Sequence, residues 1–126
     1  MTLPRTPSFR LDGKRALISG ASSGIGLGAA AALAEAGAEV TLVARRAGEL
    51  EAVRDAIRAT GSRAEALALD ITDLSATAAA LAAHGPYDVL VNSAGLARHA
   101  PALDTTPEDY DAAMALNLRA AYFLTR

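Results

Sequence analysis

The segment Ser19-Gly20-Ala21-Ser22-Ser23-Gly24-Ile25-Gly26 packs glycines and small hydroxyls into one short stretch. It follows the apolar run Ala16-Leu17-Ile18 and precedes an alanine-rich stretch at 25–36 that ends before Gly37. A strand that turns sharply into a helix here would point the helix's free amides and positive dipole end outward. Glycine lets the backbone approach a pyrophosphate closely and take positive φ. Ser22 and Ser23 can give hydroxyls to phosphate oxygens, and Gly26 would let the helix pack tightly on the sheet. The segment is not a P-loop, because Gly-Lys-Ser/Thr is missing and Lys14 is the only lysine. A flexible loop with glycines at no set places is the plainer alternative. Its place between a strand and a helix favours dinucleotide binding.

The second strand ends Val43-Ala44-Arg45-Arg46, and no carboxylate follows until Glu49. An acidic residue at this end would accept from both ribose hydroxyls and select NAD. Two guanidiniums instead suit a 2′-phosphate by charge and fork geometry. Cations at a helix start oppose the helix dipole, so an anionic ligand explains them better than solvation alone. NADP(H) is expected over NAD(H), although no basic residue lies inside the glycine turn.

These residues need elements to hold them. Apolar runs at 16–18, 39–44, 64–69 and 88–92 read as strands, the second of them β-branched. Helical spacing falls at 25–36, 49–59 and 74–83, with Asp73 as the cap of the third helix. Residues 95–106 form a loop. Thr106 then caps a helix with Pro107 at its first position. Strands alternating with helices predict a doubly wound α/β fold with a parallel sheet covered on both faces. Residues 1–12, with Pro4 and Pro7, read as a short arm, and 13–126 as one domain.

At 126 residues the chain suits one domain and is too short for two. Charged residues at 21% and hydrophobic ones at 52% describe a globular chain rather than a disordered one. Twelve basic against fourteen acidic side chains, with no like-charge block, argue against nucleic acid or an anionic membrane as partner. Absence of cysteine excludes thiol chemistry and cysteine-ligated metal. The first residues lack a signal-peptide pattern and no run is long enough to span a membrane, so a cytoplasmic protein is expected. His84 and His99 have no partner at metal-ligand spacing. His99 lies in the loop after the fourth strand, where substrates bind in such folds, and could contact one.

The Gly-x-x-x-Gly-x-Gly spacing of Gly20, Gly24 and Gly26, together with Asn92-Ser93-Ala94-Gly95, resembles the classical short-chain dehydrogenase/reductase family. The resemblance runs from about Gly13 to Arg126. It implies a Rossmann-type sheet, of which these would be the first four strands. It implies hydride transfer between nicotinamide and a small-molecule carbonyl or alcohol. It implies that Gly20, Ser22, Ser23, Gly24, Ile25 and Gly26 hold the pyrophosphate and that Asp70, with Ile71 beside it, meets the adenine. Asp70 could equally be a helix cap. Asn92, Ala94 and Gly95 would lie against the coenzyme ribose, with Asn92 tying neighbouring strands together. Ser93 departs from the family's second asparagine.

The same resemblance assigns Asn117 to a proton relay, although a solvent-facing helix position would also suit it. The relay's tyrosine should precede a lysine by four residues. Tyr87, Tyr110 and Tyr122 are followed there by Val91, Met114 and Arg126. The chain is therefore expected to be the coenzyme half of an enzyme about twice as long, inactive by itself. A stand-alone dinucleotide-binding, sensor or assembly module is the alternative. The resemblance also implies a homodimer or homotetramer through the helix at 107–126, with Met114, Leu118, Tyr122 and Phe123 available for contact. Without further elements, Leu116, Leu118, Phe123 and Leu124 are expected to be exposed on more than one side of that helix.

Overall fold

The computed structural model describes all 126 residues. Four strands form one parallel sheet: β1 Arg15–Ser19, β2 Glu39–Ala44, β3 Ala64–Ala68 and β4 Val89–Asn92. Helix α1 Gly24–Glu35 follows β1, α2 Ala47–Ala59 follows β2, and α3 Leu74–His84 follows β3. The spatial order is β3-β2-β1-β4. The chain thus steps outward from β1 to β3, then returns to lay β4 on the other side of β1. This reversal opens a crevice at the carboxyl ends of β1 and β4.

Side-chain alternation assigns the two faces. Ala16, Ile18, Val40 and Leu42 point one way and pack with Ala30 and Ala34 of α1 and with Leu50 and Ile57 of α2. Leu17 and Val43 point the other way and pack with Ile71, Ala120 and Leu124. The alanine-rich surface of α1 lets it lie close to the sheet, which is why a core with so few aromatics closes. At the amino edge, Tyr87 donates to Thr41 Oγ1 at 3.2 Å, and the Arg15 guanidinium lies 5.1 Å from the Tyr87 ring centroid.

The expected elements are all present, and the differences lie at their ends. β1 extends through Ser19, because Ser19 keeps its pairing with both Val43 and Asn92. β3 stops at Ala68, one residue early, and α2 begins at Ala47, two residues early. Most of the expected arm is exposed and irregular, but its end is tied down. Leu11 N–H bonds the Ala36 carbonyl at 2.8 Å and Arg10 Nη1 bonds the Glu35 carbonyl at 3.2 Å.

The last helical region is also not uniform. It comprises α4 Pro107–Met114, a π-turn Ala115–Ala120 and α5 Ala121–Thr125. A π-turn widens the helix by one residue per turn and shifts which side chains face inward. Hence Leu124 and Ala120 are buried against the sheet, contrary to the expectation for Leu124, while Leu116 is half-buried. Leu118, at 57% exposure, and Tyr122, at 66%, remain on the outer side. Asp73 and Thr106 cap α3 and α4 as expected, each accepting from the amide three residues on.

Leu42 is fully buried in a central strand. Leu42→Ala should cost about 2–5 kcal/mol in a urea melt, by lost burial and a residual cavity. A loss under about 1 kcal/mol would mean that this face repacks freely.

Candidate functional site

The crevice at the carboxyl edge is a cleft of about 510 Å³. Its floor is Ser19 and Gly20. One wall is Ser22 to Ile25, the opposite one Ser93 to Gly95 with Leu116, and the far end is Val43 to Arg46 with Leu69 to Ile71.

The turn is built by close approach of backbones. Gly20 has φ +69°, and a Cβ there would lie 2.7 Å from the Ala94 nitrogen. A Cβ on Gly26 would overlap the Gly20 carbonyl. Gly24 differs. Its φ is +55°, but a Cβ there would meet no atom within 4 Å, since it faces open cleft space. Ser23 is the N-cap of α1, and its side chain makes no capping bond. Leu27 is the residue whose N–H reaches the Ser23 carbonyl, so the amides just ahead of it have no helical partner. With no acidic side chain in the first turn, this helix end can receive an anion.

The two arginines separate. Arg46 Nη1 pairs with Glu49 Oε1 at 2.7 Å, a contact within the start of α2. Its charge is therefore answered inside the chain, and an external anion is not needed to explain it. Arg45 makes no ion pair and lies in the cleft wall. The Asp70 carboxyl is held below the usual carboxylate range by the hydrogen bonds that its Oδ1 accepts from Thr72 Oγ1, at 2.7 Å, and from the Thr72 amide, at 3.0 Å, with a smaller contribution from the positive charge of Arg45. Asp70 is therefore a fixed carboxylate in a tight turn before α3, and Asp73 is the helix cap.

Of the residues singled out in the sequence, Gly20, Ser22, Ser23, Gly24, Ile25, Arg45, Arg46, Asp70, Ile71, Ala94 and Gly95 line this one cleft. Gly26 stands behind the turn. Asn92 does not face the cleft and does not tie strands together: its Nδ2 donates to Thr125 Oγ1 at 3.2 Å, linking β4 to α5. Asn117 clamps the loop after β4, with Leu96 N–H donating to its Oδ1 and its Nδ2 donating to the Leu96 carbonyl, both at 2.8 Å. His84 sits at the opposite edge, 3.8 Å from Glu65, and His99 is exposed. None of the three tyrosines lines the cleft.

The match to the family model for short chain dehydrogenases spans residues 14–126. The chain belongs to the short-chain dehydrogenase family. It is 41% identical over 120 residues to gluconate 5-dehydrogenase of Gluconobacter oxydans, covering 92% of this chain and 47% of that protein. It is 40% identical over 121 residues to D-erythrulose reductase of Gallus gallus, covering 95% and 47%. Among solved structures, a metagenomic short-chain oxidoreductase in complex with NADP superposes with a TM-score of 0.86 at 44% identity, covering 92% of this chain and 55% of that one. The chain spans about half the length of the curated relatives it matches.

One residue of this short-chain dehydrogenase chain escaped the sequence reading. Ser19 is buried, and its Oγ accepts from the amides of Ser93 at 3.2 Å and Ala94 at 3.3 Å. It holds the segment after β4 against the end of β1. The signal available was a lone polar residue closing an apolar strand, just before the glycine that needs the same close approach.

The two positive-φ glycines of the turn should respond differently. Gly24→Ala should cost about 1–2 kcal/mol, the ordinary penalty for a left-handed alanine. Gly20→Ala should cost at least about 1 kcal/mol more, because its Cβ must also push Ala94 aside. Equal losses in paired melting experiments would contradict this account of the turn.

Proposed function

We propose that these residues form the coenzyme half of an NADP(H)-dependent oxidoreductase that transfers hydride between nicotinamide and a carbonyl or alcohol. The observation that carries the reading is the pairing, across one cleft, of a helix start free to take an anion with the unpaired Arg45. In this reading Ser22, Ser23 and the amides of Gly24, Ile25 and Gly26 receive the pyrophosphate. Gly20 keeps the floor clear, and Gly26 leaves room for the Gly20 carbonyl behind the turn. Arg45 takes the 2′-phosphate, with Arg46 adding charge from its exchangeable pair with Glu49. Asp70 and Ile71 border the adenine, and Ala94 and Gly95 lie along the second ribose.

The bound coenzyme supplies or accepts the hydride. The tyrosine and lysine that move the proton belong, in this reading, to a segment after Arg126. Two observations support that placement: no tyrosine here precedes a lysine by four residues, and the relatives are about twice as long. The 126 residues alone would then bind coenzyme without turnover. The solved NADP complex of the metagenomic relative supports the coenzyme class. The names of the gluconate and erythrulose enzymes support a sugar, polyol or sugar-acid substrate. The outward row Met114, Leu118, Tyr122 and Phe123 supports pairing with a second copy through the last helix. No helix is long and apolar enough to cross a membrane.

Titration of the full-length protein with NADPH and NADH tests the coenzyme assignment. Arg45→Ala should weaken NADPH about tenfold, the scale of one charge-assisted bond to phosphate, and leave NADH within about twofold. Arg46→Ala should do less, since Glu49 already shares that charge. Equal losses for both coenzymes, or a wild-type preference for NADH, would overturn the assignment. A downstream serine and Tyr-x-x-x-Lys in the reading frame would supply the missing half. A stop codon there would favour the stand-alone module.

A further inference from the structure

The loop that follows β4 has no role in the coenzyme assignments beyond Gly95. It leaves the sheet on the side of β1 away from β2 and β3. If a dinucleotide places its pyrophosphate on α1 and its adenosine at Arg45 and Asp70, its other ring must extend toward β4. Residues 96–106 therefore flank the reacting end of the cleft.

Apolar burial does not hold this loop. No residue from 96 to 106 is buried, and only Leu96 is even half-buried. Two polar ties to the last helix hold it instead. Asn117 clamps the backbone of Leu96 from the π-turn. Two residues further along, Arg98 Nη1 meets Asp109 Oδ1 at 2.6 Å. Asp109 is itself anchored, since its amide donates to Thr106 Oγ1 at 3.2 Å in the capped first turn of α4. Neither Arg98 nor Asp109 has another ion-pair partner. Beyond Arg98, His99 and Ala100 run free to the short turn at Ala102–Asp104.

We propose that Arg98 and Asp109 are positioning residues that latch the loop at the substrate end of the cleft. They set affinity for the carbonyl or alcohol without touching the coenzyme. The inference rests on the coenzyme reading above, since that reading fixes which end of the cleft reacts. A loop tied at Leu96 alone would keep its first residues in place and release the rest.

The test uses the full-length protein with NADPH and D-erythrulose, and with NADP and gluconate, as probe pairs. Arg98→Ala and Asp109→Ala should each raise KM for the accepted probe about two- to fivefold, the range for a partly exposed ion pair. The Kd for NADPH, read by fluorescence, should stay unchanged. The double variant should be no worse than either single one, because both remove the same contact. Amide exchange should speed up across 96–106 and not across 20–26, a readout that stands even if neither probe is accepted. Arg98→Gln replaces Arg98→Ala if the latter does not fold. Additive effects, a Kd that rises together with KM, or unchanged exchange at 96–106 would overturn the latch. A wild-type protein that does not bind NADPH would instead overturn the coenzyme reading on which it rests.

Discussion

The cleft depends on how closely the end of β1 and the segment after β4 approach one another. Ser19 draws the amides of Ser93 and Ala94 to its hydroxyl, and Gly20 has no side chain to keep them apart. The Gly20 carbonyl in turn lies where a Cβ on Gly26 would be, so α1 starts directly above the turn. Polar attraction and steric permission act at the same place. The strand order supplies the crevice, and these three residues set its width.

Charge is arranged around that crevice with little redundancy. The start of α1 has no acid and no side-chain cap, so its positive end remains available. At the far end Arg46 is paired and Arg45 is not. Asp70 stays ionised beside Arg45 because Thr72 supplies two donors to one of its oxygens. Since its pKa is depressed, that carboxylate persists as pH falls through the usual carboxylate range and is lost only below it. The cleft therefore offers one anion-accepting helix end, one unpaired cation and one fixed acceptor, above a floor of small residues. That combination suits a long, phosphate-bearing molecule better than a compact anion.

Most of this was legible in the sequence because it follows from local rules. The alternation of apolar runs and helical spacing gives the sheet and its faces, and Asp73 and Thr106 declare their caps. The glycine turn is readable from its place between strand and helix. What could not be read depends on tertiary partners. The Arg46–Glu49 pair requires knowing that α2 starts at Ala47, which brings the two onto one helical face. The side chain of Asn92 turns to Thr125 only because α5 comes back across β4. The π-turn is invisible to a 3.6-residue period, yet it buries Leu124 and brings Asn117 to Leu96. Ser19 looks like the end of a strand until the chain has doubled back over it.

Hydrogen–deuterium exchange on the full-length protein, with and without NADP, tests the central claim most directly. The account predicts protection at residues 20–26, 45–46, 70–71 and 93–95 together, and none in the groove between α1 and α2 around Ala31 and Val53. Protection confined to that groove, or absent from the turn at 20–26, would contradict it.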